Sequence, residues 1–283
     1  MLVSVVIPVF NSVKSIRSAI NSVILQKFEN FELIIVDGNS TDGTMDVILE
    51  FQEFIGAFKS ETDNGYADAL NKGIQMACGD YVLMLAADDS LLPGALECFS
   101  KSLRNDTDVW SGSLVQKTSY GYRNLKSNPD LEQLKKGCSL QNPATFYRRT
   151  LFEKHGFFRT DLKCAADREM FLRLYVNKVK FQIEETPIVL FALGGLSTRD
   201  PEKYGLPEDE KISIEYGMSA DDAKKLTKLH RIVLLKERKR VSMKKLLAQL
   251  GLLNVMYVIT CRGKGIMSRS QLLLLGISLE KRC

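Results

Sequence analysis

Short apolar runs alternate with amphipathic segments along the first hundred residues of the chain. The apolar runs are rich in Val, Ile and Leu, and they predict strands at residues 2–7, 31–36, 57–60 and 81–86. The segments between them space their apolar residues as helices do, and they predict helices that end near residues 26, 55 and 77. Strands that alternate with helices of this length predict right-handed βαβ units and a parallel sheet.

Beyond residue 103 the alternation becomes less regular. From residue 219 onwards Lys and Arg are interleaved with Leu, Val and Ile, which predicts a helical C-terminal segment. Between these two points we expect strands at residues 109–115, 181–183 and 188–192, a polar irregular stretch at 117–138 and a helix at 168–176.

Aspartates follow three of the predicted strands: Asp37, Asp63 and the adjacent pair Asp88 and Asp89. Ligands of parallel α/β sheets bind at the carboxyl ends of the strands, so one site could collect these side chains. Two adjacent carboxylates repel each other unless a cation, a basic side chain or solvent lies beside them. Capping of a following helix is the alternative role for these aspartates, and it needs no ligand.

The composition excludes several kinds of site. Hydrophobic residues make up 45% of the chain and charged residues 26%, as in ordinary soluble globular proteins. The six cysteines include no C-x-x-C pair, which favours reduced thiols in a cytoplasmic protein over a disulfide framework or a zinc site. His155 and His230 are the only histidines, too few for a histidine-rich metal site, and we expect both to be surface or packing residues.

The N-terminal apolar run lacks a preceding basic region and is interrupted by Pro8, so we expect a first strand rather than a signal peptide. No run reaches the roughly 18 apolar residues of a membrane-spanning helix. The phosphate-binding sequence G-x-x-x-x-G-K-[ST] is absent, and so is G-x-G-x-x-G after the first strand. Carboxylates at strand ends remain as the chemical signal, and they suit a hard cation such as Mg²⁺ or Mn²⁺.

The net charge of +5 conceals an asymmetry. Residues 224–283 contain 15 Lys and Arg against two acidic residues, whereas the rest of the chain has 24 against 32. Basic tails of this kind commonly meet nucleic acid or an anionic membrane. Apolar stretches flanked by clustered cations, such as residues 244–261, are typical of helices that lie on a membrane surface.

Four stretches, in this order and at this spacing, strongly resemble family 2 glycosyltransferases: VVIPVFN, IIVDGNSTDGT, ETDNGYADALNKG and LAADD. The later stretches PATFYRR, AADREMFLRL and GGLSTR look like the bacterial branch that builds O-antigen and exopolysaccharide units. The resemblance implies an α/β GT-A fold over residues 1–200, with a nucleotide-sugar half (1–103) and an acceptor half (104–200). Residues 201–283 would be a connector and a basic amphipathic helical segment.

For the donor, the resemblance implies a nucleoside pocket, a diphosphate and a bound cation. Asp37 would accept a hydrogen bond from the base, Asp88 would lie near the ribose, and Asp89 would ligate Mg²⁺ or Mn²⁺ on the diphosphate. Arg199 would lie on a loop that closes over the diphosphate. The other residues implied at the nucleotide are Pro8, Val9, Phe10, Asn11, Asp63, Asp68 and Asn71.

For the reaction, the resemblance implies one displacement with inversion at the anomeric carbon. Asp167 would be the base that accepts the acceptor proton, and Glu169 would support it. Three positions depart from the usual family pattern: Ala166 and Ala86 replace an acid and an Asn, and Asn142-Pro143 replaces His-Gln. Because Asp167 and Asp89 remain, we expect the chemistry to be retained.

These observations predict a metal-dependent transferase that moves one sugar from a nucleoside diphosphate, with UDP expected, to a lipid-linked or growing bacterial glycan. We expect a cytoplasmic protein attached peripherally to the inner membrane face through residues 224–283, and no nucleic-acid partner. Two alternatives remain open: a sugar-phosphate nucleotidyltransferase, and a nucleic-acid-binding protein with a basic tail.

Overall fold

The computed structural model describes residues 1–118, 121–192 and 201–249, with side chains as far as Lys236. The described residues form one nine-stranded mixed sheet with helices on both faces. The strands are β1 (Val3–Val9), β2 (Phe31–Asp37), β3 (Ala57–Ser60), β4 (Tyr81–Met84), β5 (Ser90–Leu91), β6 (Val109–Thr118), β7 (Gly121–Leu125), β8 (Thr145–Arg148) and β9 (Phe181–Phe191). The helices are α1 (Ile16–Ile24), α2 (Thr44–Leu49), α3 (Tyr66–Met76), α4 (Ala95–Ser102), α5 (Thr150–His155), α6 (Ala166–Val176), α7 (Leu206–Glu215) and α8 (Ala220–Gln249).

The sheet order is β3-β2-β1-β4-β8-β6-β9-β5, with β7 pairing beside β6. The first four strands of this order are parallel, as the alternation of strands and helices predicts. Strand β8 runs antiparallel to both β4 and β6, so the sheet continues into the second half of the chain without a break. The expected α/β architecture is therefore confirmed.

Each face of the sheet is covered by its own set of helices. Side chains of α1, α2 and α4 pack on one face, against residues such as Val5 and Ile7. Side chains of α3, α5, α6 and α7 pack on the other, against residues such as Val6 and Ile34. Every residue of β1 is buried, which is typical of a parallel strand covered on both sides.

The pairing register places the ends of the parallel strands in one row. Val9 of β1 lies opposite Asp37 of β2, and Asp37 lies opposite Ser60 of β3. The loops that follow these strands therefore leave the sheet at the same edge, together with the turn after β4. This edge is where the sequence predicts a ligand site.

Three sequence-based predictions in this region were wrong in detail. The helix expected to reach residue 55 ends at Leu49, and a 3₁₀ turn follows at Gln52–Phe54. The stretch expected to be irregular, residues 117–138, contains β7 and a second 3₁₀ turn. The two strands expected at 181–183 and 188–192 are one strand, β9, because it pairs with β6 through a register shift that leaves Glu185 and Thr186 exposed.

The packing of α3 on the sheet gives a test of the fold. A Cβ atom added at Gly73 would lie 2.3 Å from Val6 Cγ1 and 3.3 Å from Val36 Cγ2. Gly73→Ala should therefore lower the free energy of unfolding by about 1–3 kcal/mol, although Ala is the better helix former. Chemical denaturation measures this change. The matched control is Gln75→Ala on the exposed side of α3, which should be neutral or stabilising, and an equal loss in both variants would contradict the close packing.

Candidate active site

The loops that follow β1 and β2 are joined by hydrogen bonds at the carboxyl edge. The Asn11 amide N–H donates to Ser40 Oγ at 2.8 Å, and Asn11 Oδ1 accepts from the Thr41 N–H at 2.9 Å. Asn11 has a φ of +46°, a left-handed conformation that Asn tolerates better than most residues. Asp42 accepts from Val13 and Thr44, so this aspartate holds the loops and does not face a ligand.

Asp37 lies at the bottom of this edge and is completely buried. Its carboxylate accepts hydrogen bonds from the Ser40 N–H at 3.1 Å and from the Ser60 hydroxyl at 2.7 Å. Gly43, and not Asp37, stands at the N-cap of the next helix. Because a carboxylate has about four acceptor positions, Asp37 retains the capacity to accept from a ligand N–H.

Asp63 and Phe10 meet beside Asp37, across Gly38. A Cβ atom at Gly38 would lie 2.5 Å from Asp63 Oδ2 and 3.3 Å from the Phe10 ring, so a larger residue would displace the Asp63 carboxylate. The other Asp63 oxygen accepts from the Gly65 N–H at 2.8 Å. The Phe10 ring is 60% exposed, whereas Pro8 and Val9 are buried in β1 beneath it. A flat apolar surface beside two carboxylates is suited to a nucleobase.

Asp68 and Asn71 on α3 have partners within the protein. Asp68 accepts from the Asn64 N–H at 2.9 Å and forms an ion pair with Lys72 at 3.2 Å. Asn71 exchanges two hydrogen bonds with the backbone of Phe158, at 2.8 and 2.9 Å. The structure therefore uses both side chains to hold the loops around the edge.

Asp88 and Asp89 lie in the turn after β4, and their environments differ. Asp88 is exposed, whereas Asp89 is 1% exposed. Asp89 Oδ1 accepts from the Ala192 N–H at 2.8 Å, but Oδ2 is buried and has no hydrogen-bond partner among the described residues. Burial, followed by the charge of Asp88, raises the pKa of Asp89 to about 8. Neither aspartate caps a helix, because α4 begins at Ala95 with Gly94 at its N-cap.

A divalent cation fits this arrangement. Within the described part of the chain, no group of three or more His, Cys, Asp or Glu side chains is placed to hold a metal ion. Mg²⁺ commonly needs only one or two protein carboxylates, since substrate phosphates and water complete its coordination. The unpaired Asp89 Oδ2 is a suitable oxygen ligand, and binding would supply the positive charge that this buried carboxylate lacks.

Asp167 is in the first turn of α6, and it is only partly exposed. Burial raises the pKa of Asp167 to about 6. One oxygen accepts from the Arg168 N–H at 2.7 Å, and Cys138 Sγ lies 3.9 Å from the other. A sulfur contact at that distance is weak, so this oxygen remains available to accept a proton. The N-cap position belongs to Ala165, and Asp167 is not the cap.

Glu169 is different from Asp167, because both of its oxygens are occupied. Oε2 accepts from Arg173 at 2.9 Å and Oε1 accepts from the Tyr216 hydroxyl at 2.7 Å. The side chain is 3% exposed. Glu169 therefore connects the first turn of α6 to the C-terminal segment, and it faces no open space.

Tyr66 lies within electrostatic reach of both the carboxyl edge and Asp167, and no sequence motif pointed to this role. Burial by the surrounding protein raises the pKa of its phenol, and the negative charges of Asp89, Asp167 and Asp88 raise it further. Tyr66 nevertheless remains 47% exposed, so solvent reaches part of it. All three carboxylates therefore lie within electrostatic reach of one phenol.

The segment after β9 holds α6, the helix that carries Asp167, in place, and the sequence did not predict this either. Glu208 accepts hydrogen bonds from the backbone N–H groups of three successive residues just before α6, at 2.8, 2.8 and 2.9 Å: Lys163, Cys164 and Ala165. The Arg168 guanidinium is fully buried and donates to the Asp209 carboxylate at 3.0 Å and to the Ser213 hydroxyl at 2.9 Å. No local sequence signal identifies such contacts, since they join residues about 40 positions apart. Arg199 lies outside the described residues.

Because one oxygen of Asp89 is buried without a partner among the described residues, we expect the ionised carboxylate to destabilise the folded protein when no ligand is bound. A carboxyl group with a raised pKa is protonated in the folded state up to about pH 8 but ionised in the unfolded state above about pH 4. The folded protein should therefore lose stability as the pH rises between these values. Asp89→Asn should raise the free energy of unfolding of the metal-free protein by about 1–3 kcal/mol at pH 8. Thermal unfolding at pH 5 and pH 8 measures this gain, and equal stability of the two proteins at pH 8 would contradict it.

Comparison with known proteins agrees with this geometry. The sequence profile of Glycosyl transferase family 2 matches residues 4–173. A PGL/p-HBAD biosynthesis glycosyltransferase of Mycobacterium tuberculosis is 29% identical over 181 residues, which cover 62% of this chain and 70% of that protein. Two solved structures share the fold at low sequence identity. Staphylococcus aureus TarS in complex with UDP-GlcNAc has a TM-score of 0.62 at 18% identity, over 80% of this chain and 70% of that one.

The second is the mannosyltransferase PcManGT of Pyrobaculum calidifontis in complex with GDP-Man and Mn²⁺. It has a TM-score of 0.61 at 16% identity, over 97% of this chain and 83% of that one. These likenesses confirm the GT-A fold that the sequence motifs imply. The chain belongs to glycosyltransferase family 2.

Proposed function

We propose that the protein is a metal-dependent glycosyltransferase that moves one sugar from a nucleoside diphosphate to an acceptor hydroxyl, with inversion at the anomeric carbon. The supporting observation is that the half-satisfied Asp89 carboxylate and the partly buried Asp167 carboxylate both lie within electrostatic reach of the Tyr66 phenol. The first suits a cation on a leaving diphosphate, and the second suits a base.

The donor is a nucleoside diphosphate sugar, with UDP as the nucleotide. The Phe10 ring would cover the base, and Asp37 would accept from its ring N–H. Asp63 and Asn11 would enclose the nucleoside, Asp68 and Asn71 would hold the surrounding loops, and Asp88 would accept from the ribose. The complexes of TarS with UDP-GlcNAc and of PcManGT with GDP-Man support a nucleotide sugar as the donor class.

Asp89 Oδ2 would ligate Mg²⁺ or Mn²⁺, and that ion would stabilise the negative charge that develops on the diphosphate. Asp167 would accept the proton of the acceptor hydroxyl from the opposite face of the sugar. A pKa of about 6 leaves this carboxylate mostly ionised at neutral pH, which is the state that a base requires. Arg199 would contribute positive charge to the diphosphate.

We also propose that the acceptor is a lipid-linked or growing bacterial surface glycan, met at the cytoplasmic face of the membrane. The described cysteines Cys78, Cys98, Cys138 and Cys164 are free thiols, which agrees with a reducing compartment. None of the described helices is long and apolar enough to cross a membrane. Along α8, exposed apolar side chains such as Leu229 and Ile232 lie among Lys and Arg, as on helices that bind a membrane surface.

Experiments can distinguish the proposed enzyme from the two alternative functions. A nucleotidyltransferase would release pyrophosphate, whereas the proposed enzyme releases a nucleoside diphosphate. A nucleic-acid-binding protein would bind DNA or RNA with a strong dependence on salt concentration. The carboxylates of Asp88, Asp89 and Asp167 would repel a nucleic-acid backbone, which favours the transferase.

Calorimetry with UDP, with and without Mn²⁺, tests the donor site. The wild type should bind UDP, and Mn²⁺ should tighten binding by about tenfold or more, roughly 1.4 kcal/mol. Asp89→Ala should abolish this effect of Mn²⁺, because the buried ligand oxygen is lost. Asp106→Ala is the matched control, since this aspartate is exposed and pairs only with Lys180 in the described structure. Binding by Asp89→Ala that equals the wild type would overturn the metal assignment.

The pH dependence of transfer tests the base. Below about pH 6 kcat/KM should fall by roughly tenfold per pH unit, because Asp167 becomes protonated, and it should reach a plateau above pH 7. Asp167→Asn should reduce kcat by about 10²–10⁴-fold while UDP binding remains. A pH profile that is flat between pH 5 and pH 7 would argue against this base.

Vesicle flotation tests membrane attachment. The protein should float with vesicles of phosphatidylglycerol and phosphatidylcholine but not with vesicles of phosphatidylcholine alone, because each Lys or Arg contributes about 1 kcal/mol near an anionic surface. The double substitution Leu229→Asp and Ile232→Asp should reduce binding. The matched control is Leu49→Asp with Phe54→Asp, on exposed apolar positions of the N-terminal half. Equal binding to both kinds of vesicle, or equal losses in the two double variants, would contradict the proposal.

A further inference from the structure

A cavity of about 380 Å³ lies between α6, the helix that carries Asp167, and the C-terminal helices α7 and α8. We call it the C-terminal cavity. Its lining includes Asp167 of α6, Cys138, Leu206 of α7, and His230, Val233 and Leu234 of α8. Its size is in the range of small-molecule sites, which begins at about 300 Å³.

Packing between α8 and the loop before β8 holds this wall in place. A Cβ atom at Gly137 would lie 3.3 Å from His230 Cε1, so the helix approaches the backbone closely at that point. Ala223, one turn into α8, is completely buried. Helix α7, which precedes α8, is tied to α6 through Glu208 and through the pair of Arg168 and Asp209. The wall and the base are therefore parts of one packed unit.

The cavity combines one reactive carboxylate with an apolar wall. Arg168 also reaches it, but its guanidinium is already satisfied by the Asp209 carboxylate, the Ser213 hydroxyl and three backbone carbonyls. The nucleotide residues of the donor edge, such as Asp37 and Asp63, do not line it. A ligand that fills this space would place a hydroxyl at Asp167 and an apolar body against Val233 and Leu234.

The outer surface of α8 indicates where such a ligand comes from. Leu229, Ile232 and Val233 follow helical spacing and are 41–56% exposed. This apolar stripe neighbours the cavity-lining face of His230, Val233 and Leu234, and Val233 belongs to both. Lys225, Lys228 and Arg231 stand in the same turns. An acceptor carried in an anionic membrane would therefore contact the apolar stripe first and then enter the C-terminal cavity.

We propose that the C-terminal cavity is the acceptor subsite, that its ligand is an amphipathic acceptor whose hydroxyl is carried on an apolar body, and that Val233 and Leu234 select that body. This inference rests on the proposed function, since it takes Asp167 as the base. The side chains that distinguish acceptors then lie on a helix beyond the part of the chain that matches the family, residues 4–173.

Thiol labelling of the full chain tests the subsite without knowledge of the natural acceptor. Cys138 lines the cavity and is exposed to reagent, whereas Cys78 is exposed elsewhere and serves as the internal reference. The probes are octyl β-glucoside below its micelle concentration and methyl β-glucoside, and mass spectrometry follows maleimide labelling of each cysteine. Octyl glucoside should slow labelling of Cys138 by about fivefold or more and leave Cys78 unchanged, through simple occupancy of the site.

Three labelling results would overturn the assignment. They are unchanged labelling of Cys138 with octyl glucoside, equal protection by methyl glucoside, and equal slowing at Cys78. Unchanged labelling would mean that octyl glucoside does not bind in the cavity. Equal protection by methyl glucoside would mean that the cavity has no preference for an apolar body. Equal slowing at Cys78 would mean that the detergent has a general effect on labelling.

Substitution of the wall identifies the residues that select the ligand. Val233→Asp should raise the octyl glucoside concentration needed for half-protection by roughly tenfold. Leu234→Asp is the second variant, and Leu235→Asp, on an exposed position outside the cavity, is the matched control. Thermal unfolding verifies that each variant folds. Full protection in Val233→Asp and Leu234→Asp, or an equal loss in Leu235→Asp, would contradict the role of the wall.

UDP titration of the same proteins separates the two claims. If the wild type binds UDP but octyl glucoside gives no protection, the donor site stands and the acceptor cavity is wrong. If the wild type binds no UDP, the proposed function fails whatever the labelling shows. Normal UDP affinity in Val233→Asp, together with lost protection, is the result that we expect.

Discussion

The burial of the parallel strands on both faces is the constraint on which the rest of the structure depends. Strand β1 is buried along its whole length, and the last five residues of β2 are buried as well. Polar side chains have no solvent to meet within such strands, so they are concentrated at the strand ends. The carboxyl edge thereby gathers Asp37, Asp63 and Asp89, and the loops there are fixed by the hydrogen bonds of Asn11 and Asp42.

Burial has a different consequence for each carboxylate. Asp37 is completely buried but has two hydroxyl or amide donors, so it is ready to orient a ligand. Asp89 is nearly as buried and has one donor, so its ionised form is unfavourable in the absence of a compensating positive charge. Asp167 is less buried than either, and one of its oxygens has only a weak contact from Cys138 within the described structure. One fold thus gives three carboxylates with different environments, and these differences suit the proposed roles of nucleotide ligand, metal ligand and base.

Local sequence patterns predicted where the strand-end aspartates lie, but they did not predict what surrounds Asp167. Asp37 and the pair Asp88-Asp89 directly follow apolar runs, and Asp63 lies three residues beyond β3, so local patterns suffice to place them at strand ends. The contacts that hold Asp167 join α6 to Glu208, Asp209 and Ser213, and such distant contacts leave no periodic signal. The apolar runs also predicted two strands where the structure has only β9. The bulge exposes Glu185 and Thr186 in the middle of this continuous strand, so its apolar pattern is interrupted there.

The most direct test of the account is a crystal structure of the protein with UDP and Mn²⁺. We expect one Mn²⁺ ion within about 2.2 Å of Asp89 Oδ2 and of the diphosphate, as is usual for a hard cation with oxygen ligands. We also expect the uracil ring to pack against Phe10, with its N–H directed at Asp37. A complex in which UDP binds but Asp89 Oδ2 contacts neither metal nor ligand would contradict the central claim.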